Sequence, residues 1–336
     1  MTFSTLAVDV GGTYMRSAMV DGDELILPTK RNAPGFRLHH VPLADLQNMF
    51  IREMLKLVDS YTEKGFRVSR LAVGFPGPMK DGTVYGAPTL WGEMDVPYPL
   101  LSMLKKELGN KGITDIVTVN DVTAMGWSYL TDKNRTFCII TVSSGIGNKI
   151  FHDGQVLTGE TAIGGEIGHW YCGDTYREFV CDCGKRGHLG AVSSGRGVEK
   201  IAEKLKPEFV DVPEIASLGR ITTADIVDGI KKGDTLALKT LKFSVSPLAS
   251  AIGLINLAAG VNNFILVGGF ALSGGKAYVA TLRKSLERHR FHGHFTDGGD
   301  GINVRLGVDN DFRALEGLGR MMKERDAAGA SVITAA

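Results

Sequence analysis

The chain has 336 residues, 43% of them hydrophobic and 22% charged, with a formal net charge of +1. That length exceeds one ordinary core and predicts two domains of roughly 150 residues each. The balanced charge argues against nucleic acid or an anionic membrane as principal partner.

The opening residues run straight into a strand, Leu6 to Val10, without a basic or cleavable apolar leader. The most apolar stretch, Leu248 to Val261, is shorter than the ~20 residues needed to cross a bilayer and reads as a core helix. A cytoplasmic protein with no membrane partner is expected. Four cysteines in so long a chain do not make a disulfide scaffold. Cys138, inside the apolar run Phe137 to Val142, reads as a small buried residue.

In chain order, Thr5 to Val10, a glycine turn, Ser17 to Val20 and Leu25 to Leu27 read as a strand meander. Leu43, Leu46, Phe50, Met54, Leu57 and Tyr61 recur every three or four residues, which predicts a helix. Leu71 to Phe75 is a buried strand ending at the Pro76-Gly77-Pro78 turn. Leu100 to Leu108 is helical, and Ile116 to Val119 is a strand that stops at Asn120. Phe137 to Val142, a glycine turn and Lys149 to Phe151 then repeat the opening pattern. Phe264 to Val267 is a strand leading into Gly268-Gly269, followed by a helix over Tyr278 to His289 and a strand over Ile302 to Leu306. A last helix runs from Asp311 to Lys323, and residues beyond Arg325 read as a frayed tail. The repetition predicts one βββαβ plan used twice. The fold class is α/β, with lobes 1–121 plus 312–336 and 122–311 bringing both glycine turns to one cleft.

Four segments carry chemistry. In Asp9-Val-Gly-Gly-Thr13 a carboxylate ends a strand, Gly11 and Gly12 let a phosphate approach the backbone, and Thr13 and Arg16 add a hydroxyl and a cation. No Walker-type lysine follows, so magnesium held through Asp9 would have to neutralise phosphate charge. Ser143-Ser144-Gly145-Ile146-Gly147 stands at the repeated position and reads as a second phosphate turn. A plain hairpin is the alternative for both turns. Gly268-Gly269 offers a third backbone approach, suited to an adenosine moiety.

Asp121 can accept a proton from a hydroxyl attacking a γ-phosphate, and Asn120 can donate to or accept from neighbouring hydroxyls. Asp121 equally suits the N-cap of a helix over Val122 to Leu130. Glu166 and His169, three apart, can share one side of a turn and match adjacent ring hydroxyls. His169, Cys181, Cys183 and His188 supply a Cys2His2 set of the kind that holds structural zinc, with Cys172 a less well spaced competitor. Two reduced cysteines beside surface histidines are the alternative there.

Together these segments resemble the ROK family of sugar kinases (repressor, open reading frame, kinase), in the actin-like ATPase superfamily, over nearly the whole chain. The specific part is Glu166-Ile-Gly-His169 with Cys181-x-Cys-Gly-x-x-Gly; the glycine turns are shared across the superfamily. The resemblance implies two actin-like, ribonuclease H-like lobes, with Asp121 as catalytic base and Asn120, Glu166 and His169 as sugar ligands. It implies ATP as donor, Asp9 near magnesium, a structural zinc at His169 and the cysteine loop, and a homodimer.

Departures from the family bear on substrate. His188 stands where a third cysteine is usual, and Gly190 where a glutamate usually touches the sugar near its anomeric end. Thr89, expected to line the substrate site, replaces an asparagine, and Asn148 and Lys149 replace glycines. A site lacking a carboxylate accepts altered groups. The expected substrate is therefore a modified hexose, such as an amino sugar, or a C7 cyclitol, phosphorylated on its primary exocyclic hydroxyl. Plain glucose is the alternative. A repressor of the same family would carry a helix-turn-helix domain ahead of Asp9, where eight residues stand here. A non-catalytic sugar-binding relative is disfavoured by the intact Asp121 and both turns.

Overall fold

The computed structural model describes residues 4–160, 164–209, 215–289 and 301–328. The chain forms two units, Met1–Asn134 with Gln155–Gly164 and Asn310–Ala336, and Arg135–Gly154 with Gly165–Asp309.

The first unit opens with β1 (Thr5–Val10), β2 (Tyr14–Asp21) and β3 (Glu24–Asn32), an antiparallel meander. Helix α1 (Leu43–Glu63) leads to β4 (Arg70–Phe75), the two-residue strands β5 (Met79–Lys80) and β6 (Thr83–Val84), α2 (Leu100–Gly109) and β7 (Asp115–Asn120). The sheet order is β3-β2-β1-β4-β7, with β1, β4 and β7 parallel. Central β1 is an apolar run with five of its six residues buried, as a strand covered on both faces must be. Outer β3 has only exposed and half-buried residues and carries Lys30 and Arg31, which suits a sheet edge. On α1 the buried residues Leu46, Phe50, Met54, Leu57 and Tyr61 follow the predicted spacing. The Tyr61 hydroxyl donates to the Leu27 carbonyl at 2.8 Å, pinning α1 to the meander.

Two helices complete this unit. Helix α3 (Asp121–Trp127) follows β7 directly, and α9 (Arg313–Ala327) returns from the end of the chain to pack on it. A Cβ at Gly317 would stand 1.8 Å from the Ala124 carbonyl oxygen, so the two helices touch backbone to backbone. Arg313 and Arg320 each donate to the Ser128 carbonyl at 3.0 Å, satisfying an acceptor just past the end of α3. These contacts carry the first unit to Asn134, past the expected boundary at residue 121.

The second unit repeats the plan. Strand β8 (Phe137–Val142) turns into antiparallel β9 (Ile146–His152), with the short β10 (Gln155–Val156) next in sequence. Then come α4 (Leu189–Ser193), α5 (Gly195–Leu205), α6 (Thr223–Lys232), α7 (Thr235–Ala259), β11 (Asn263–Val267), α8 (Gly269–Leu286) and β12 (Asn303–Leu306). Strands β9, β8, β11 and β12 lie side by side in that order, the last three parallel.

Sequence and structure part company at some element ends. Helix α7 starts at Thr235 rather than Leu248 and continues through Pro247, and its 25 residues are enough to cross a membrane by length and composition. It is nonetheless a core helix, with Leu241, Val245, Leu248 and Ile252 fully buried. Helix α8 begins at Gly269 itself and ends at Leu286, with a 3-10 turn over Glu287–His289. Helix α9 runs on to Ala327, and the expected tail beyond 328 lies outside the described residues.

Candidate active site

In the first unit the carboxylates of interest stand at the C-terminal ends of parallel strands. Asp9 pairs with Gly74 of β4, and the next residue along, Phe75, pairs with Asn120 of β7. A Cβ at Gly74 would lie 3.6 Å from Asp9 Oδ1 and 3.7 Å from the Asp121 Cα. Asp9 and Asp121 thus flank one narrow point of the sheet.

Asn120, not Asp121, is the N-cap of α3. Its Oδ1 accepts from the Val122 and Thr123 N–H groups, and its Nδ2 donates to the Gly77 carbonyl at 3.0 Å and to Asp121 Oδ1 at 2.9 Å. Two donors and two lone pairs are all an asparagine amide has. All of these are engaged inside the protein, and one of the donors holds Asp121. The Val122 N–H also donates to Asp121 Oδ1 at 2.9 Å.

Asp9 stands in a row of charges that the sequence reading did not foresee. Arg16 is the cross-strand partner of Asp9 and of Lys30, so the three residues line up across β1, β2 and β3. Arg16 lies 3.5 Å from Asp9 and 2.9 Å from Asp311, and Lys30 lies 2.5 Å from Asp311. The Asp9 side chain is 13% exposed. Burial pushes its carboxyl up to about 6, Arg16 pulls it down and Asp311 adds to the rise. The alternation of hairpin residues could have found Lys30; nothing local points to Asp311.

Gly11 and Gly12 follow β1, and the Gly11 N–H donates to the Tyr14 carbonyl at 2.9 Å. A Cβ at Gly12 would meet the Thr89 carbonyl oxygen at 2.5 Å, so Thr89 seats directly on this turn. Thr13 is exposed at its tip.

In the second unit the Ser143 N–H donates to the Gly145 carbonyl at 3.0 Å, closing a tight turn with Ser143 and Ser144 exposed. Gly147, expected in the turn, is already in β9 opposite Thr141. Gly268 follows β11 with φ +92°, and a Cβ there would come within 2.8 Å of the Val142 carbonyl. Only glycine fits there. The Gly268-Gly269 pair and the Ser143–Gly145 turn therefore adjoin at the ends of neighbouring strands.

Glu166 caps the 3-10 turn Ile167–His169, held by Asn148, whose Oδ1 accepts from the Ile167 N–H at 3.3 Å. His169, Cys181, Cys183 and His188 converge, their candidate donor atoms all within 4.8 Å of one another. Cys183 Sγ lies 3.3 Å from His188 Nδ1, and Cys181 Sγ 3.9 Å from His169 Nδ1. Tetrahedral zinc sets sulfur and nitrogen ligands about 3.6 Å apart, so the donor set fits. Cys172 is not part of this cluster; its thiol donates to the Gly187 carbonyl, and burial pushes it up to about 11.

The profile of the ROK family matches residues 5–300. The chain belongs to the ROK family. It is 35% identical over 350 residues to a C(7)-cyclitol 7-kinase of Streptomyces hygroscopicus subsp. jinggangensis (strain 5008), covering 97% of each chain. It is 27% identical to an N-acetylmannosamine kinase of Citrobacter koseri, over 84% of this chain and 88% of the relative. Its fold is that of the ROK hexokinase from Thermus thermophilus, at TM-score 0.72 and 21% identity, over 96% and 99% of the two chains. A ROK family glucokinase from Streptomyces griseus, solved with glucose and AMPPNP, superposes at TM-score 0.70 with 22% identity, over 95% and 99%. As a member of the ROK family with kinases for relatives, the protein is an ATP-dependent carbohydrate kinase.

Proposed function

We propose that this ROK kinase transfers the γ-phosphoryl group of ATP to the primary exocyclic hydroxyl of a C7 cyclitol, the 7-OH. The similarity to C(7)-cyclitol 7-kinases carries this reading: it spans 97% of both chains at 35% identity, above the 27% to the N-acetylmannosamine kinase of Citrobacter koseri. Gly190 agrees with it, since the residue leaves no carboxylate where glucose-type enzymes are expected to have one.

Asp121 takes the proton of the attacking hydroxyl, its carboxylate held by the Asn120 amide and the Val122 N–H. Thr89, Glu166 and His169 contact the ring. Gly11, Gly12, Thr13 and Arg16 are phosphate-binding residues of the first unit; in the second unit the Ser143, Ser144 and Gly145 turn binds phosphate and Gly268-Gly269 meets the adenosine. Asp9, ionised, is the carboxylate offered to magnesium, an ion that keeps several waters and binds through one or two carboxylates plus phosphates. When bound with ATP, magnesium supplies charge neutralisation of the transferring group.

His169, Cys181, Cys183 and His188 hold the zinc, and that cross-link fixes the loop bearing Glu166. Leu254 and Leu257 leave apolar surface on α7, 47% and 61% exposed, that a second copy would cover in a homodimer. The enzyme works in the cytoplasm, where ATP is available.

The reading is tested by measuring ATP-dependent phosphorylation across glucose, mannose, N-acetylmannosamine and a C7 cyclitol. The cyclitol should show the highest kcat/KM. Higher kcat/KM for glucose would overturn the substrate assignment and leave the kinase assignment standing.

A further inference from the structure

Arg196 joins two segments of the second unit whose tasks are otherwise separate. It stands in the first turn of α5, two residues after the N-cap Ser194. Its Nε donates to the Ser144 carbonyl oxygen at 2.9 Å, and its Nη1 lies 2.6 Å from Asp182 Oδ2. Ser144 belongs to the phosphate turn, and Asp182 lies between Cys181 and Cys183. The preceding residue adds a tie of its own: the Gly195 N–H donates to the Ser143 carbonyl at 2.7 Å.

These two bonds do more than anchor a loop. A peptide unit is planar and trans, so its N–H points opposite to its C=O. Holding the Ser143 carbonyl therefore aims the Ser144 N–H, and holding the Ser144 carbonyl aims the Gly145 N–H. Consecutive N–H groups turned one way make an anion nest. The start of α5 thus fixes the direction of the donors that a phosphate would meet. The planar guanidinium serves a carbonyl with one arm and a carboxylate with another in a fixed geometry, which the compact ammonium of lysine does not reproduce.

We propose that Arg196 is a positioning residue through which the Cys181–Cys183 knuckle sets the nucleotide affinity of the Ser143–Gly145 turn. The proposal rests on the reading of that turn as a phosphate site. With both cysteines ligating a metal, Asp182 is held between two fixed points and Arg196 keeps its second partner. Without the metal the carboxylate is less constrained, Arg196 is free to leave the Ser144 carbonyl, and the two N–H groups lose their aim.

The test is calorimetric binding of AMPPNP to the full-length, zinc-loaded protein, with zinc content measured on each sample. Arg196→Ala and Arg196→Lys should both raise the dissociation constant about tenfold with zinc content unchanged. Asp182→Ala should raise it about two- to fivefold, as an exposed ion pair does. The Asp182→Ala/Arg196→Ala pair should bind no more weakly than Arg196→Ala alone. Chelating the zinc should weaken AMPPNP binding in the wild type and add little in Arg196→Ala. Additive losses in the double variant, or equal losses on chelation in both backgrounds, would overturn the proposal.

Gly145→Ala separates the two levels of the reading, because a Cβ there meets nothing within 4 Å and the fold accommodates it. Unchanged AMPPNP binding in Gly145→Ala would defeat the phosphate assignment itself. Weakened binding there with none in Arg196→Ala would defeat only the brace.

Discussion

At Asp9 burial and charge pull in opposite directions. The carboxyl rises to about 6 because it is buried, against the pull of Arg16 and with a push from Asp311. The folded protein therefore holds this proton more tightly than the unfolded chain does, and stability falls as pH climbs from about 4 to about 6. Asp9→Asn removes the titration. The variant should gain about 1–3 kcal/mol over the wild type at pH 8 and almost nothing at pH 4, while losing activity. Denaturant midpoints at the two pH values check this, and an equal difference at both would contradict it. Asp9 and Asp121 stood out in the sequence because each lies where an apolar strand runs out. Asp311 was not, since it reaches Lys30 across 281 positions and is placed there only by the fold. The division of labour between Asn120 and Asp121 was also hidden, as either residue can cap a helix.

Strands were the most legible elements, since apolar runs bounded by glycine leave few alternatives. Helix α7 was cut short in the sequence reading because Pro247 and the polar residues before it look like a break, whereas the buried face carries the helix through. The contact between α3 and α9 was invisible, because a glycine inside a helical pattern says nothing about what lies against it. It yields a prediction against propensity. Alanine is favoured over glycine in a helix by about 1 kcal/mol, yet a Cβ at position 317 would collide with the Ala124 carbonyl. Gly317→Ala should destabilise the protein by about 2 kcal/mol or more and lower kcat, since α3 carries Asp121 at its first turn. Thermal melting and steady-state kinetics check both, and a variant more stable than wild type would show that the helices are not in backbone contact.

On the scale of the molecule, each unit presents the same design: an antiparallel hairpin leading into parallel strands, with the candidate site residues near their C-terminal ends. The duplication was readable because strand, glycine turn and strand recur in one order. The His169, Cys181, Cys183 and His188 cluster was readable from Cys-x-Cys and two histidines, while the bond from the Cys172 thiol to the Gly187 carbonyl is one no spacing reveals. Purified protein should contain about one zinc per chain, and His188→Ala or Cys183→Ser should lose most of it, since four donors make a closed site. Full zinc in either variant would place the metal elsewhere.

The most direct measurement of the central claim follows product formation from ATP and a C7 cyclitol by phosphorus NMR, for wild type and Asp121→Asn. The wild type should form the 7-phosphate, and the variant should lose turnover by on the order of 10²–10⁴ while its melting temperature and AMPPNP affinity hold. Near-normal turnover in Asp121→Asn, or its loss together with folding and nucleotide binding, would contradict the assignment of this carboxylate as the base.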